Sequence, residues 1–417
     1  MTSLAHVRFC LLGLAVAVVA PACGGGASGT PGGGRDAMGG MTPLGGSGGA
    51  NGIDAGGGTV PETGASDLPA TASDATPEGA GDARPPEVDG AAPDRAPAMD
   101  APGTTDGDGT ANPVWQGLAN PIYTANGWST KDVGVFYGPT GTIHVYFSAF
   151  FADAGQERCH VAQTTSKDLR TFTPAVVVFD GQADGWIGMC SPDVQKIGNQ
   201  YVMTFNAWGD QTPKPKQLFY STSTDLTTWG PMQPLGASLT AGRSYIDAAL
   251  ANPGDGRLFL FYKDDSTVRT RLAAGPALDG PWHTVGNGFP SLLMPSGSEN
   301  GLVHENYQLL QIDGKWRLLS TDYSPRDTYI YTLRGTGAAE TDWLTWEAGF
   351  RTSVKREAFN SNETVNAAYI VDRRPADGFF YLYYAGRTEA QTHLGRGNNK
   401  IAVSRSMDMR NWIVAGQ

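Results

Sequence analysis

The sequence has no apolar run of 18 residues beyond its N-terminal segment, no basic cluster and no amphipathic helical pattern longer than a few turns. Because a transmembrane helix needs roughly 18 to 20 consecutive apolar residues, we expect none after that segment. The formal net charge of −11, without a basic patch, argues against nucleic-acid binding. The lack of a long amphipathic helical pattern favours a protein built mainly from β-strands.

The N-terminal segment, Met1 to Ala22, has the features of a secretory signal. Arg8 precedes the apolar run from Phe9 to Ala20, and small residues stand before Cys23. Cys23 occupies the place of the acylated cysteine in bacterial lipoprotein signals, so this stretch resembles a lipobox. We predict a lipoprotein-type signal peptide at 1–22, lipidation of Cys23 and an exported protein anchored at the cell surface. Ordinary secretion, with Cys23 incidental, is the alternative.

A second segment, 24–112, has 24 Gly and 10 Pro and no Phe, Tyr or Trp. Such a composition cannot bury enough apolar surface to offset the entropy lost on ordering. We therefore predict a disordered tether at 23–112. All ten Trp lie from Trp115 onward, and 113–417 is long enough for one large folded domain.

Cysteine is scarce, with four residues in the chain. Cys10 leaves with the signal and Cys23 is the lipidation candidate, which leaves Cys159 and Cys190. Because two cysteines in one domain of an exported protein are more often paired than free, Cys159 and Cys190 are candidates for a disulfide. Two cysteines alone do not make a metal site.

One motif, S-x-D-[LM]-x-x-[WF], recurs in the folded part. Its copies are 166–172, 223–229 and 406–412, and degenerate copies end at Trp282 and Trp346. The final aromatic residues are 57, 53, 64 and 66 residues apart, a spacing typical of four-stranded units. We predict an all-β fold, a five-bladed β-propeller, in which each Asp closes a turn and each aromatic residue seals a blade. A β-sandwich is the alternative.

Three acidic residues begin predicted hairpins. Asp132, Asp247 and Glu305 each lie nine residues before a turn glycine, and Asp313-Gly314 is a strong hairpin signal. In a propeller the three carboxylates would meet near the central axis and repel one another. Such repulsion raises at least one pKa and separates an acid from a base, which is what glycoside hydrolysis requires.

The segments around these acids, KDVGVFYGPTGTIHVYF, YIDAALANPGDGRLFLFYKDD and HENYQLLQIDGKWRLL, resemble motifs of the propeller glycosidases of glycoside hydrolase families 43 and 62. The resemblance implies an inverting hydrolase with Asp132 as base, Asp247 as pKa modulator and Glu305 as acid. It implies pentose substrates, and the Lys131-Asp132 pair and Glu305-x-x-Gln308 are similar to the arabinofuranosidases of family 62.

We expect the sugar to bind in a funnel through aromatic faces, cations and polar side chains. The predicted substrate-binding residues are Lys131, Trp128, Trp186, Asp193, Gln308, Tyr384 and Arg387. Glu299 is a rival acid and Asp193 a rival base.

Other interpretations stay open at this point. The chain is alternatively a non-catalytic carbohydrate-binding propeller at the cell surface, or a propeller glycosidase for another sugar. We expect an oligo- or polysaccharide substrate, a monomer, membrane contact only through the lipid anchor, and no required cofactor. A structural calcium ion in the central channel is possible, with His393 as a candidate ligand.

Overall fold

The computed structural model describes residues 114–209, 216–240, 242–323, 326–388 and 399–417, all within the unit Ala92–Gln417. The predicted signal peptide with Cys23, the predicted tether and His393 lie outside the described residues. Within the described ranges, no helix is long and apolar enough to cross a membrane.

Within the described ranges, strands form five successive groups whose neighbouring strands pair antiparallel, apart from one short parallel strand in the fourth group. The first group is β1 (Ser129–Tyr137), β2 (Ile143–Asp153), β3 (Gln156–Ser166) and β4 (Val176–Phe179). The second is β5 (Gly188–Ile197), β6 (Gln200–Trp208), β7 (Leu218–Ser223) and β8 (Gln233–Pro234). A single parallel bridge between Cys159 and Gly188 joins these two groups.

The other three groups follow the same order. The third is β9 (Tyr245–Ala251), β10 (Leu258–Asp264), β11 (Arg269–Gly275) and β12 (His283–Thr284). The fourth is β14 (His304–Ile312), β15 (Lys315–Asp322), β16 (Thr328–Leu333) and β17 (Thr345–Arg351), with β13 (Ser291–Leu292) parallel to β17. The fifth is β18 (Glu363–Asp372), β19 (Phe380–Arg387), β20 (Lys400–Ser406) and β21 (Ile413–Val414). The described helices are one turn long: α1 (Ala237–Thr240), α2 (Arg374–Asp377) and the 3-10 turns Gln182–Asp184, Glu340–Leu344 and Ala358–Asn360.

The first strands of the groups contact one another in a closed ring. β1 packs against β5 and β18, β9 against β5 and β14, and β14 against β18. The ends of these five strands, and the loops attached to them, therefore lie around one axis. An all-β fold is confirmed.

Among the described residues, the five larger hydrophobic cores lie between successive groups, including one between the fifth and the first. The aromatic residue that ends each motif copy packs in a different core: Phe172, Trp229, Trp282, Trp346 and Trp412. The motif thus supplies one large apolar side chain to each seam, as the sequence predicts.

The aspartate of the motif closes a turn, also as predicted. Asp168 Oδ1 accepts hydrogen bonds from the backbone N–H groups of Arg170 and Thr171 at 2.9 and 2.8 Å. Asp225 and Asp408 accept the same pair of bonds in their copies. These bonds lower the pKa of each aspartate.

Candidate active site

A bulge interrupts the first strand of every group at the same register position. Pairing with the second strand shifts by one residue after Lys131, Cys190, Ile246, Glu305 and Asn366. The next residue then has a positive φ: Asp132 50°, Ser191 59°, Asp247 59°, Asn306 50° and Ala367 51°. This conformation costs a non-glycine residue roughly 1–3 kcal/mol, and such residues cluster at functional sites.

The bulges correct one step of the sequence argument. Asn306, not Glu305, is the counterpart of Asp132 and Asp247, and Glu305 is the counterpart of Lys131. The shared count of nine misleads because the turns differ in length: β14 and β15 are separated by two residues, whereas β1 and β2 are separated by five.

The three predicted catalytic residues nevertheless line one cavity of about 550 Å³. Asp132, Asp247 and Glu305 are 7%, 5% and 7% exposed. Each therefore presents a largely desolvated carboxyl group to the same space.

Asn306 connects two of these carboxyl groups. Its Nδ2 donates to Asp132 Oδ1 at 3.2 Å and to Asp247 Oδ1 at 3.3 Å, and its backbone N–H donates to Asp247 Oδ2 at 3.2 Å. One amide group thus fixes the separation of Asp132 and Asp247. The sequence alone does not reveal this role of Asn306, because it depends on the bulge.

Asp247 is held on further sides. Ser191 Oγ donates to its Oδ1 at 2.6 Å, and its backbone N–H donates to Asn206 Oδ1 at 3.0 Å. Burial first, and then the charge of Asp132, raise the pKa of Asp247. The charge of Lys263 and the hydrogen bonds from Ser191 and from the Asn306 backbone N–H oppose the rise. The expected raised pKa therefore falls on Asp247.

Glu305 has a different environment from the one expected for a proton donor. Lys263 Nζ donates to its Oε2 at 2.9 Å, and Arg326 donates to its Oε1. Two cations stabilise the carboxylate form. Lys263 and Arg326 thus contact the carboxyl group to which the sequence argument assigns the proton, and the proton-donor role of Glu305 stays a prediction.

Two predicted cations have different positions. Lys131 lines the cavity, with its Nζ 5.7 Å from the centre of the Phe150 ring. Arg387 does not line it and instead donates to Glu363 Oε1 at 3.0 Å. Burial opposes ionisation of Glu363, but the hydrogen bond from Arg387 and the charge of Lys131 outweigh it and lower the pKa of Glu363. Because Arg326 also pairs with Glu363, at 3.8 Å, Arg387 supports the site indirectly.

The prediction that Trp128, Trp186 and Tyr384 bind the sugar is wrong. Trp128 packs against the core between the fifth and first groups, Trp186 is 4% exposed in the core between the first and second, and Tyr384 is fully buried. The aromatic residues that do line the cavity are Phe150, Trp208 and Tyr323.

Two further residues that were predicted to bind substrate lie below the cavity. Gln308 exchanges two hydrogen bonds with the backbone of Ile370, at 2.8 and 2.7 Å, and joins β14 to β18. Asp193 is 5% exposed and borders a separate cavity of about 20 Å³. Neither lines the larger cavity, so the substrate-binding prediction is wrong for both. The rival acid Glu299 is an exposed residue that accepts from the Leu292 N–H at 3.2 Å.

The structure contains Cys159 and Cys190 as free, buried thiols rather than as the expected disulfide. They pack with Phe150 in one small cluster, and Cys190 lines the cavity. Burial, and then the neighbouring Cys190, raise the pKa of the Cys159 thiol.

No group of three or more His, Cys, Asp or Glu side chains that could hold a metal ion occurs among the described residues. The calcium ion stays a prediction, since His393 lies outside them.

Comparisons with known proteins add evidence on the fold. No family model matches the sequence, and no curated protein matches it significantly. A proposed glycosidase from Bacteroides thetaiotaomicron VPI-5482 is similar in structure, with a TM-score of 0.50 and 16% identity over 69% of this chain and 95% of that chain. A glycosyl hydrolase from Bacteroides ovatus has a TM-score of 0.50 and 15% identity over 71% and 93%. A thermostable family-43 glycoside hydrolase has a TM-score of 0.49 and 14% identity over 72% and 96%.

At these identities the likeness shows the fold alone: the chain shares the all-β architecture of the two solved glycosidases with a TM-score of 0.50. The predicted resemblance to such enzymes is confirmed at that level. The similarity to family 62 stays a prediction.

Proposed function

We propose that the chain is a glycoside hydrolase whose five strand groups are the blades of a propeller. The observation that carries the proposal is the meeting of Asp132, Asp247 and Glu305 in one cavity, at the ring where the first strands contact one another. The fold likeness to solved glycosidases supports it.

The reaction we propose is hydrolysis with inversion. Glu305 donates a proton to the leaving glycosidic oxygen, and Asp132 removes a proton from the water that attacks the anomeric carbon from the opposite face. Asp247 does not touch the reacting atoms, but through Asn306 it fixes the position of Asp132.

For the substrate we propose pentose linkages, first α-L-arabinofuranosyl groups of arabinoxylan or arabinan. Two features support this choice: the Lys131-Asp132 pair in the sequence and the location of Lys131 beside the proposed base in the cavity. Phe150, Trp208 and Tyr323 offer aromatic surface for sugar C–H groups.

The test is release of pentose from a chromogenic α-L-arabinofuranoside, a β-D-xyloside, arabinan and arabinoxylan. We expect turnover of at least one of these and its loss in Asp132→Asn and Glu305→Gln. Glu299→Gln is the matched control, because it makes the same change at an exposed glutamate, and it should keep full activity. Full activity in Asp132→Asn or Glu305→Gln would refute the assignment.

A non-catalytic carbohydrate-binding protein is the second candidate. The pairing of Glu305 with Lys263 and Arg326 favours it, since a cation at each carboxyl oxygen opposes the protonation that a proton donor needs. Retention of the wild-type protein on arabinoxylan in affinity electrophoresis, without sugar release from any of the four substrates, would support this function instead.

For the cellular setting we propose export and anchoring at the cell surface through acylated Cys23, with 23–112 as the tether of a monomeric domain at 113–417. Cys23→Ala should move the protein from the membrane fraction to the soluble fraction. An unchanged distribution would contradict the anchor.

A further inference from the structure

A second layer of residues lies directly below the candidate active site. Pairing of the first strands resumes after the bulges at Gly134, Asp193, Ala249, Gln308 and Tyr369. The cavity of about 20 Å³ borders both layers, because Asp132 and Asp247 line it together with Asp193 and Tyr369. Asp193 carries the only carboxyl group of the second layer.

One carboxyl oxygen of Asp193 has a partner and the other does not. Gln195 Nε2 donates to Oδ2 at 2.9 Å, whereas Oδ1 is buried and accepts no hydrogen bond. The Tyr369 hydroxyl lies against this carboxyl group and donates its own proton to the carbonyl of Val194 at 2.7 Å. Its oxygen therefore has a lone pair available for a donor.

The surroundings of Asp193 disfavour its ionised form. The ionisable groups that border the small cavity are Asp132 on β1, Asp247 on β9, Tyr307 on β14 and Tyr369 on β18, and no Lys, Arg or His borders it among the described residues. An ionised Asp193 would place a negative charge close to the carboxyl groups of Asp132 and Asp247. Burial raises the pKa of Asp193 to about 7, although Gln195, the Leu250 backbone and the nearby Tyr369 hydroxyl oppose the rise.

We propose that Asp193 is a positioning residue that, as a neutral carboxylic acid, donates from Oδ1 to the hydroxyl oxygen of Tyr369 and so joins β5 to β18 beneath the site. Ser191, the donor to Asp247, lies two residues earlier in β5. Ionisation of Asp193 removes the donor, repels Asp132 and Asp247, and displaces the strand that carries Ser191. The inference rests on the proposed hydrolase function only for its effect on turnover.

Protonation is tested by denaturant unfolding of wild type and Asp193→Asn. An aspartate whose folded pKa exceeds its unfolded pKa makes the protein lose stability as pH rises between the two values, here from about pH 4 to about pH 7. The amide does not titrate, so the wild-type midpoint should fall relative to Asp193→Asn over this range. Asp408→Asn is the control, since the pKa of Asp408 is lowered to about 2 and its difference from wild type should stay constant there. Parallel curves for Asp193→Asn and wild type overturn the proposal, whatever the protein hydrolyses.

Positioning is tested by the pH profile of kcat/KM on a substrate that wild type turns over. Asp193→Asn keeps a donor and removes the titration, so its activity should persist to higher pH than that of wild type. Asp193→Leu removes the donor and should lower kcat/KM below about pH 7, where wild-type Asp193 is neutral. An Asp193→Asn profile that is a constant multiple of the wild-type profile shows a merely structural role and overturns the proposal. Absence of turnover in wild type would sink the proposed function instead, while the unfolding curves still decide whether Asp193 is neutral.

Discussion

Asn306 is the most direct place to perturb the candidate site, because one side-chain amide donates to two carboxyl groups. Asn306→Gly removes this amide, and glycine adopts the required φ of 50° without strain. We therefore expect a folded protein in which Asp132 and Asp247 have lost a shared donor.

The size of the effect follows from the bonds removed. Hydrogen bonds to charged groups contribute about 1.5–3 kcal/mol, and each 1.36 kcal/mol of transition-state free energy is a factor of about ten in rate. We expect kcat/KM of Asn306→Gly to fall roughly 10- to 100-fold. Asn306→Asp should lose more, because it replaces the donor with a third carboxylate beside the other two.

The assay is kcat/KM on a chromogenic glycoside at the pH optimum, with circular dichroism as a check of folding. Ala367→Gly is the matched control, since Ala367 is the same bulge residue in the fifth group, has a φ of 51° and has no polar atom in its side chain. Its kcat/KM should stay within about twofold of wild type. Wild-type activity in Asn306→Gly, or an equal loss in Ala367→Gly, would refute the reasoning.

Two other predictions test the assigned roles and the repeat motif. If Glu305 is the proton donor, Glu305→Gln should retain much more activity on a 2,4-dinitrophenyl glycoside than on an alkyl glycoside, because a good leaving group needs no protonation. Asp132→Asn should lose activity on both substrates. If the 2,4-dinitrophenyl glycoside instead rescues Asp247→Asn and not Glu305→Gln, the acid role belongs to Asp247. The folded pKa of Asp408 is lowered to about 2, so its contribution to stability is present above about pH 4 and is lost as pH falls toward 2; Asp408→Asn should lower the denaturation midpoint at neutral pH, and the deficit should shrink in acid, whereas a deficit independent of pH down to about 2 would contradict the turn-closing role.

The repeat could be predicted from sequence because its chemistry is local. An aspartate that bonds N–H groups two and three residues ahead leaves the same pattern in every copy, and Asp168, Asp225 and Asp408 do so. The turn at Asp313-Gly314 is local as well, with φ values of 50° and 72°. Such features need no knowledge of distant residues.

The register at the site could not be predicted by counting. Positions relative to a turn measure the length of the turn as well as that of the strand, so counting aligns Glu305 with Asp132, although Asn306 is the counterpart of Asp132. Only cross-strand pairing reveals the bulge.

The aromatic lining was missed for a related reason. Strands of this fold are buried on both faces, so an aromatic residue such as Tyr384 is more often core than ligand. One signal was present in the sequence: the second strand runs antiparallel to the first, so its C-terminal end lies beside the acid-bearing end. Trp208 ends β6, Lys263 lies near the end of β10 and Tyr323 follows β15, and all three line the cavity.

The stereochemistry of the first product tests the central claim most directly. Hydrolysis of an α-L-arabinofuranoside, or of whichever glycoside proves to be a substrate, is followed by proton NMR before the product mutarotates. Since Asp132 is proposed to activate water on the face opposite Glu305, the account predicts that the anomer of inverted configuration accumulates first. Initial accumulation of the retained anomer would require a carboxylate nucleophile and would contradict the account.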